Sequence, residues 1–156
     1  MSLARCLALA GAWLLLTVLP ANAQPMQERR GAPTGAFDFY VLALSWSPGF
    51  CETSARGSER EQCREGSGLG FVVHGLWPQS DTGYPTFCEP AGRFVPRAVI
   101  DENEGLFPDA NLARYQWRKH GTCAGVSPSA YFDLVRKAQE LVRIPDGFAA
   151  ARTEAR

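Results

Sequence analysis

The sequence predicts a small α+β domain, and three observations support this prediction. Two apolar runs at residues 37–51 and 69–77, "FDFYVLALSWSPGFC" and "LGFVVHGLW", have the composition of buried strands. Two segments at residues 108–121 and 127–144 have the pattern of helices. Four cysteines lie among these segments, which suits a small domain stapled by disulfide bonds. Strands and helices in this order indicate an α+β fold.

The first 23 residues have the pattern of a secretory signal peptide. Arg5 supplies a positive charge, an apolar stretch runs from position 7 to position 19, and Ala21-Asn22-Ala23 provides a small-residue cleavage sequence. The alternative is a membrane anchor, but this apolar stretch is short for a span of about 20 residues. We therefore expect an exported protein, periplasmic or secreted, with no membrane segment after cleavage.

The remaining chain is long enough for one domain. Residues 24–36 are polar and rich in Pro and Gly, so they predict a flexible N-terminal segment before a single domain at residues 37–156. Without Arg5 the 16 basic side chains become 15, against 16 acidic ones. Because the chain has no basic excess, any contact with a nucleic acid must be local.

The chain has five cysteines, and Cys6 is lost with the signal peptide. The even number that remains in the exported chain predicts two disulfide bonds. Four cysteines allow three pairings, and their spacing does not choose among them. A zinc site is the alternative, but no CxxC pair is present and the intervals of 12, 25 and 35 residues do not fit a zinc finger. We therefore expect no metal site. The four residues are Cys51, Cys63, Cys88 and Cys123.

Turn-forming residues divide the chain into its elements. Ser47-Pro48-Gly49 ends the first strand, and residues 52–68 are charged and contain Gly and Ser, which predicts a loop. Pro78 ends the second strand, and residues 78–92 form a turn-rich loop with scattered aromatic side chains. A further irregular stretch precedes the first helix.

Both helices carry capping signals. The first helix can begin at Asp109 or Asn111, and Gly121 stands at its C′ position. In the second helix, Ser127 can cap the first turn and Pro128 suits that turn. Apolar residues of the second helix recur at spacings of three and four, which predicts one buried face. They are Tyr131, Leu134, Val135, Ala138, Leu141 and Val142.

Only two histidines occur in the chain, and taken singly each has an ordinary explanation. Alternation along the second strand places His74 and Val72 on one face, opposite the face of Val73. A histidine there is most often a satisfied core or edge residue. His120 lies in the last turn of the first helix, where a histidine cation is favoured by the helix dipole.

The neighbours of His120 suggest a catalytic use for both histidines. Gln116, Lys119 and His120 share one helix face, because spacings of three and four relate them. A lysine beside an imidazole suits a phosphate group, and a second imidazole opposite would provide one base and one acid around a phosphodiester. The nucleophile of such a reaction is a 2′-hydroxyl, which RNA has and DNA lacks.

The stretches that contain these residues resemble a known family. "FVVHGLWPQ" and "WRKHGTC" are similar to the two active-site blocks of the ribonuclease T(2) family, and "YVLALSWSPGFC" resembles its first core strand. The resemblance extends from about Phe37 to about Ile144. It implies an α+β enzyme with a central antiparallel sheet packed with helices. Such an enzyme cleaves single-stranded RNA through a 2′,3′-cyclic phosphate to 3′-phosphate ends, and we expect a monomer without metal or cofactor.

The resemblance also implies roles for residues of this sequence. His120 would be the general base on the 2′-hydroxyl, His74 the general acid for the 5′-oxygen, and Lys119 would stabilise the charged phosphorus. Trp77 and Tyr84 match positions at which aromatic rings hold a base, and such stacking contributes about 1–3 kcal/mol per base. The alternative for both aromatic residues is ordinary core packing.

The disulfide pairing and the end of the chain are further implications. The resemblance implies the pairs Cys51–Cys63 and Cys88–Cys123, of which the second would tie the loop after the second strand to the end of the first helix. It also implies several strands beyond the second helix. This chain finishes with "IPDGFAAARTEAR", which has no apolar strand, so we expect the last strands of the sheet to be missing.

The sequence departs from the family pattern at three positions near the site. Gln116 replaces a common glutamate, which removes a charge and the ability to exchange a proton, so we expect reduced activity or an altered pH dependence. Tyr115 replaces a phosphate-binding histidine, so substrate binding would depend more on Lys119. Gln79 replaces an acidic residue, which leaves the base preference open.

Two other functions compete with an endoribonuclease. The first is a catalytically weakened or inactive secreted RNA-binding protein, which Gln116 and the short C-terminus would suit. The retained His74, Lys119 and His120 argue against it. The second is a small metalloprotein that uses both histidines and a cysteine, which would require a free thiol.

Overall fold

The computed structural model describes residues 26–54, 60–90 and 92–150, so the predicted signal peptide lies outside the described residues. Within these ranges the strands are β1 (Gln27–Arg30), β2 (Phe39–Trp46), β3 (Phe71–Gln79) and β4 (Gly83–Thr86). The helices are α1 (Ser47–Thr53), α2 (Arg97–Glu102), α3 (Ala110–Lys119), α4 (Pro128–Glu140) and α5 (Gly147–Ala150). Short 3-10 helices occupy Glu61–Cys63 and Gly121–Cys123.

The two predicted strands are confirmed as β2 and β3, which form an antiparallel pair over the whole length of β2. Pro78 does not end the second strand as predicted: it lies within β3, opposite Tyr40, and the strand continues to Gln79. Val73 and Leu76 of β3 share a buried core with residues of α3 and α4. The Tyr131 hydroxyl of α4 donates a hydrogen bond of 2.8 Å to the Leu76 carbonyl of β3, which fixes helix to strand. An antiparallel pair packed with helices confirms the α+β prediction. The buried centre includes Val73, Leu76, Ala113, Trp117, Tyr131, Phe132 and Val135.

Residues 24–36 were expected to form a flexible segment, but the structure places strand β1 within them. β1 pairs in parallel with β4. Specific polar contacts hold it there: the Thr86 hydroxyl donates to the Glu28 carboxylate at 2.7 Å, and the Arg29 guanidinium donates to the Ser80 hydroxyl at 2.9 Å. A polar composition predicts mobility only when the polar groups lack partners, and here they have partners far along the chain.

Two segments predicted as irregular also contain regular structure. The predicted loop at residues 78–92 contains β4, joined to β3 by a tight turn in which the main chains of Ser80 and Gly83 exchange hydrogen bonds of 2.8 and 3.3 Å. Glycine is needed at position 83 because a Cβ there would overlap the carbonyl oxygen of Gln27 in β1. The irregular stretch before α3 contains α2. Both short elements depend on partners that local composition does not reveal.

The predicted caps are present at both long helices. The Asp109 carboxylate accepts a hydrogen bond of 2.7 Å from the N–H of Leu112, so α3 begins at the first of its two candidate caps. The Ser127 hydroxyl accepts one of 3.3 Å from the N–H of Ala130 at the start of α4. These bonds satisfy main-chain donors that the first turn leaves without a helical partner.

The second helix is shorter than predicted. α4 ends at Glu140 instead of residue 144, and only part of its predicted apolar face is buried. Tyr131 and Val135 are fully buried, but Leu141 is 87% exposed and Val142 is 42% exposed. The apolar spacing therefore continues beyond the last turn that has a core to pack against.

The β2–β3 pair has no further strand in the described part of the chain. After Thr86, residues 87–90 and 92–150 form helices and connecting segments only. Phe39 and Val41 of β2 are consequently 44% and 38% exposed. No helix in the described ranges has the length and apolar character needed to cross a membrane.

Candidate active site

β3 contains a bulge at His74. Ala43 of β2 pairs with Gly75 of β3. The next residue of β2, Leu44, pairs with Val73, so His74 is left without a partner in β2. A bulge disrupts the ladder locally and re-aims the inserted side chain, and bulges are common beside active sites. The regular alternation that the sequence predicted for this strand is therefore broken at the histidine.

The bulge explains how side chains are distributed along β3. Val73 and Leu76 are three residues apart and both join the core, whereas unbroken alternation would place them on opposite faces. By the same shift, the rings of His74 and Trp77 come together, with centroids 5.8 Å apart and planes at 88°. Gly75 was the signal in the sequence, because a glycine inside an apolar strand often marks a bulge.

The Trp77 indole touches the second imidazole as well. Its ring stacks on that of His120, with centroids 5.2 Å apart and planes at 25°. Both separations lie within the roughly 4.5–7 Å range of favourable aromatic pairs. One half-buried indole therefore contacts the histidine of the strand and the histidine of the helix, and it brings them into a single site.

α3 positions His120 at its C-cap. The N–H of His120 donates to the Gln116 carbonyl at 2.9 Å, and the chain then enters the short 3-10 helix. Gly121 occupies the predicted C′ position, but for a steric reason, since a Cβ there would overlap the ring of Trp117. His120 itself is only 4% exposed.

Gln116 is buried and bonded to the indole. Its Oε1 accepts a hydrogen bond of 2.9 Å from Nε1 of Trp77, and the residue is 1% exposed. A buried amide that lost this partner would destabilise the fold, because an unpaired polar group is costly away from water. The bond fixes the orientation of the indole, and the indole in turn contacts both imidazoles.

We expect Gly75→Ala to disturb the site directly. A Cβ at this position would overlap both Oε1 of Gln116 and Nε1 of Trp77, the two atoms of their hydrogen bond. Relief of this overlap should cost roughly 1–3 kcal/mol of unfolding free energy and alter the near-ultraviolet dichroism of tryptophan. Gly147→Ala is the matched control, because nothing lies within 4 Å of a Cβ built there. Equal urea stability and equal dichroism in the two variants would contradict this prediction.

Burial and positive charge lower the pKa of both histidines. Burial, then the charge of Lys119, then His74 lower the pKa of His120 from 6.5 to about 3. Burial and then Lys119 also lower the pKa of His74. Nδ1 of His120 is buried and has no hydrogen-bond partner among the described residues, which leaves little to stabilise a cation there. Both imidazoles are therefore predominantly neutral at neutral pH.

We expect the free energy of unfolding to fall as the pH is lowered from about 6.5 towards about 3. His120 takes up a proton near its ordinary pKa when unfolded but only near pH 3 when folded, so acid favours the unfolded chain. His120 alone should cost roughly 2–3 kcal/mol between pH 7 and pH 4.5, and His74 acts in the same direction. Urea unfolding across this range measures the slope. A His120→Asn variant with an equally steep slope would refute the assignment to this residue.

The structure places the other predicted site residues at different distances from the pair. Lys119 lies close enough for its charge to lower the pKa of both histidines. Tyr84 lies on β4, half-buried, and no hydrogen bond or ring contact joins it to either histidine within the described residues. Tyr115 is 40% exposed, with the Arg118 guanidinium 5.8 Å from its ring centroid. The residues brought together are His74, Trp77, Gln116, Lys119 and His120.

Both disulfides have the pairing that the resemblance implied. Cys51 and Cys63 have Cα atoms 5.5 Å apart, and Cys88 and Cys123 have Cα atoms 4.9 Å apart. The second bond joins the segment after β4 to the segment after α3, where the Cys88 N–H also donates to the Thr122 hydroxyl at 3.2 Å. All four cysteines of the described residues are bonded, so none of them provides the free thiol that the metalloprotein alternative requires.

The candidate site is not in the large cleft of about 610 Å³ in the described residues. That cleft lies between the start of β3 and the segment that joins α2 to α3, with Phe71 and Phe107 among its walls, and neither histidine lines it. The site is therefore identified by the chemistry of its side chains rather than by the volume of a cavity.

Comparison with known protein sequences gives a consistent family. The model of the Ribonuclease T2 family matches residues 37–153. The chain is 46% identical over 100 residues to a ribonuclease from Aeromonas hydrophila, an alignment that covers 64% of this chain and 44% of that protein. It is 32% identical over 177 residues to ribonuclease I of Escherichia coli K12, covering 83% of this chain and 63% of the relative. The chain thus spans only about half the length of such relatives.

Comparison with solved structures gives the same fold. A mutant of RNase MC1 in complex with 5′-UMP superposes with a TM-score of 0.52 at 27% identity, covering 67% of this chain and 57% of that one. RNase MC1 comes from the seeds of bitter gourd. RNase NT in complex with 5′-AMP also gives a TM-score of 0.52, at 23% identity, and supports the fold alone.

Proposed function

Because this chain belongs to the ribonuclease T2 family, we propose that it is an endoribonuclease that cleaves single-stranded RNA. The observation that carries the proposal is the contact of two imidazoles with one indole, beside the charge of Lys119. Acid–base cleavage of a phosphodiester needs two proton-transfer groups and a cation for the charge that develops on the phosphate. RNA supplies its own nucleophile, the 2′-hydroxyl.

In the proposed reaction, His120 accepts the proton of the 2′-hydroxyl while that oxygen attacks phosphorus. His74 donates a proton to the 5′-oxygen as its bond to phosphorus breaks, and a 2′,3′-cyclic phosphate forms. Water then opens the cyclic ester with the two roles exchanged, which leaves a 3′-phosphate. Lys119 stabilises the additional negative charge on phosphorus, so the reaction proceeds without a metal ion. The low pKa of His120 supports its role as the neutral base.

Gln116 acts in this proposal as a positioning residue. An amide cannot exchange a proton as a carboxyl group does, and its Oε1 is already occupied by the Trp77 indole. Gln116 therefore fixes the orientation of the indole, and the indole keeps the two imidazoles at a fixed distance from each other. Trp77 and Tyr84 remain candidates for binding a base, and Tyr115 for binding a phosphate.

We expect kcat/KM for a dinucleoside phosphate to be highest in acid, because the base must be neutral and the acid protonated. The acid limb should follow the pKa of His120, about 3, and the basic limb that of His74, below its ordinary 6.5. A pH profile of kcat/KM measures both limbs. Gln116→Glu should move the acid limb to higher pH, since a carboxylate near His120 favours the imidazolium. An optimum above pH 7 would contradict the assignment of roles.

The direct test of the proposed function is incubation of the oxidised protein with single-stranded RNA in excess chelator, followed by mass analysis of the ends. Cyclic phosphate and 3′-phosphate ends are expected, and DNA of the same sequence should stay intact because it lacks the 2′-hydroxyl. Circular dichroism on the same sample establishes that the protein is folded. A folded protein that leaves RNA intact would refute the enzyme and favour the RNA-binding alternative.

We also propose that the protein acts after export, in the periplasm or outside the cell. Two disulfide bonds support an oxidising compartment, and the N-terminal pattern supports a secretory signal. Mass spectrometry of the protein recovered from each cell fraction tests this proposal. A chain found in the cytoplasm with residues 1–23 still attached would refute it.

A further inference from the structure

Strand β1 lies outside the residues that the family model matches, which begin at position 37, and it carries two consecutive arginines. β1 is held in place because it pairs with β4 and its Glu28 carboxylate accepts a hydrogen bond from Thr86 of β4. Arg29 uses its guanidinium to bond the Ser80 hydroxyl at 2.9 Å. Arg30, on the other face of the strand, is thereby presented at a fixed position on the surface.

Arg30 lies over the ring of Phe87, with its guanidinium carbon 4.1 Å from the ring centroid. Phe87 has a φ of 49°, and it is the one residue other than glycine with a positive φ in the described ranges. Such a conformation is unfavourable for a bulky side chain and persists only where its surroundings hold it. Here the Phe87 N–H donates to the Lys119 carbonyl at 2.8 Å. Phe87 therefore connects Arg30 to the end of α3 that carries the site.

The contacts of Arg30 leave its hydrogen-bonding groups available. A guanidinium that stacks on a ring uses its flat face and keeps its N–H groups free in the plane, in a fork that matches phosphate oxygens. Within the described residues Arg30 forms no salt bridge and no side-chain hydrogen bond. Glu28, on the same strand face, is occupied by the Thr86 hydroxyl. The exposed cation is thus free to bind an anion from solvent.

The charge balance of the chain makes one such cation important. Without Arg5 of the predicted signal peptide, 15 basic side chains stand against 16 acidic ones, so no general positive field holds RNA on the surface. Proteins that bind single strands place cations along the path of the backbone and aromatic rings beside it. Arg30 on Phe87 provides both groups next to the lysine-bearing end of α3.

We propose that Arg30, seated on Phe87, binds a backbone phosphate of the RNA strand next to the phosphate that is cleaved. The identity of the ligand as RNA rests on the proposed function. In the proposed reaction, Lys119 and the two histidines act on the scissile phosphate. The RNA strand continues from this phosphate, so its next phosphates lie over the neighbouring protein surface. In this proposal β1 extends the RNA-binding surface beside the candidate site and contributes affinity for substrates longer than a dinucleotide.

The test uses an eight-nucleotide DNA strand, which the enzyme cannot cleave, and measures its Kd over a series of salt concentrations. Arg30→Gln should weaken binding about 3- to 10-fold at low salt and lower the slope of log K against log salt by about 0.7, the value for one phosphate contact. Arg30→Lys keeps the charge and should keep most of the slope. Arg93→Gln is the matched control, because Arg93 also stacks on a phenylalanine, Phe94, at 4.9 Å.

Cleavage assays provide the second measurement. For Arg30→Gln, the ratio of kcat/KM on an eight-nucleotide RNA to kcat/KM on a dinucleoside phosphate should fall about 3- to 10-fold, mainly through KM. An unchanged Kd and slope, or an equal loss in Arg93→Gln, would overturn the proposal. A wild-type protein that cleaves no RNA would refute the ribonuclease instead, and the DNA-binding measurement would still decide whether Arg30 contacts a phosphate.

Discussion

Replacing His120 by alanine is expected to lower kcat for a dinucleoside phosphate by roughly 10²- to 10⁴-fold, and replacing His74 should have an effect of the same size. Each variant removes one of the two proton transfers that the proposed reaction requires. The indole of Trp77, which touches both rings, cannot substitute for either imidazole. Its N–H is already bonded to Gln116, and an indole has no nitrogen that can accept a proton. Steady-state kinetics on the purified oxidised proteins measures both losses.

A change of leaving group separates the two roles. A nucleoside 3′-aryl phosphate expels a stable phenolate that needs no protonation, so His74→Ala should recover much of its rate on this substrate. His120→Ala should not recover, since attack by the 2′-hydroxyl still requires a base. The opposite pattern would exchange the acid and base assignments.

The loss of activity must be distinguished from damage to the fold, because His120 is buried against Trp77. His120→Asn fills more of the space than alanine and serves as a second variant. Its near-ultraviolet dichroism should resemble that of the wild type while its activity stays low. Activity within tenfold of the wild type in either His120 variant would remove this residue from the mechanism.

Removal of the Cys88–Cys123 bond by a double alanine variant is expected to cost about 4 kcal/mol of unfolding free energy, on the chain-entropy relation for a separation of 35 residues. It should also reduce activity, because this bond ties the segment that holds Phe87 to the segment that follows His120. Urea unfolding gives the first quantity, and kcat of the fraction that remains folded gives the second.

The Cys51–Cys63 bond provides the comparison. It closes a separation of 12 residues between α1 and a short 3-10 helix, and its loss should cost about 3 kcal/mol. No contact among the described residues links it to the histidines, so kcat of the folded fraction should stay near that of the wild type. If both double variants lose kcat equally, the position of the Cys88–Cys123 bond has no special importance for the site.

The sequence predicted residues that lie together in the candidate site, but it did not predict how they are arranged. The helical spacing of Gln116, Lys119 and His120 placed them at one helix end, because a single periodicity governs that segment. His74 was identified by its type and its neighbours, but regular alternation gave it an ordinary strand position. Gly75 signals a bulge in this strand, but the pairing with β2, a contact between distant segments, is what identifies His74 as the inserted residue.

The same distinction separates the elements that were predicted from those that were missed. β2, β3, α3 and α4 carry their own apolar patterns or caps, which are local properties of the sequence. β1 and β4 are four residues each, polar or rich in turn formers, and they exist because they pair with one another across more than fifty residues. Phe87 was missed for a related reason, since its conformation is held by Arg30 and Lys119 from two other segments.

The bulge at His74 shows that strand pairing does not need this residue, although the proposed reaction does. If His74 were deleted, Val73 would be followed directly by Gly75, and the partners Leu44 and Ala43 would then face consecutive residues in an uninterrupted antiparallel ladder. The imidazole is thus an insertion that strand pairing does not need. A chain shortened by this one residue would keep its strand pairing and lose the acid of the proposed reaction. A well-formed β2–β3 pair therefore does not by itself indicate whether a protein of this kind is an enzyme.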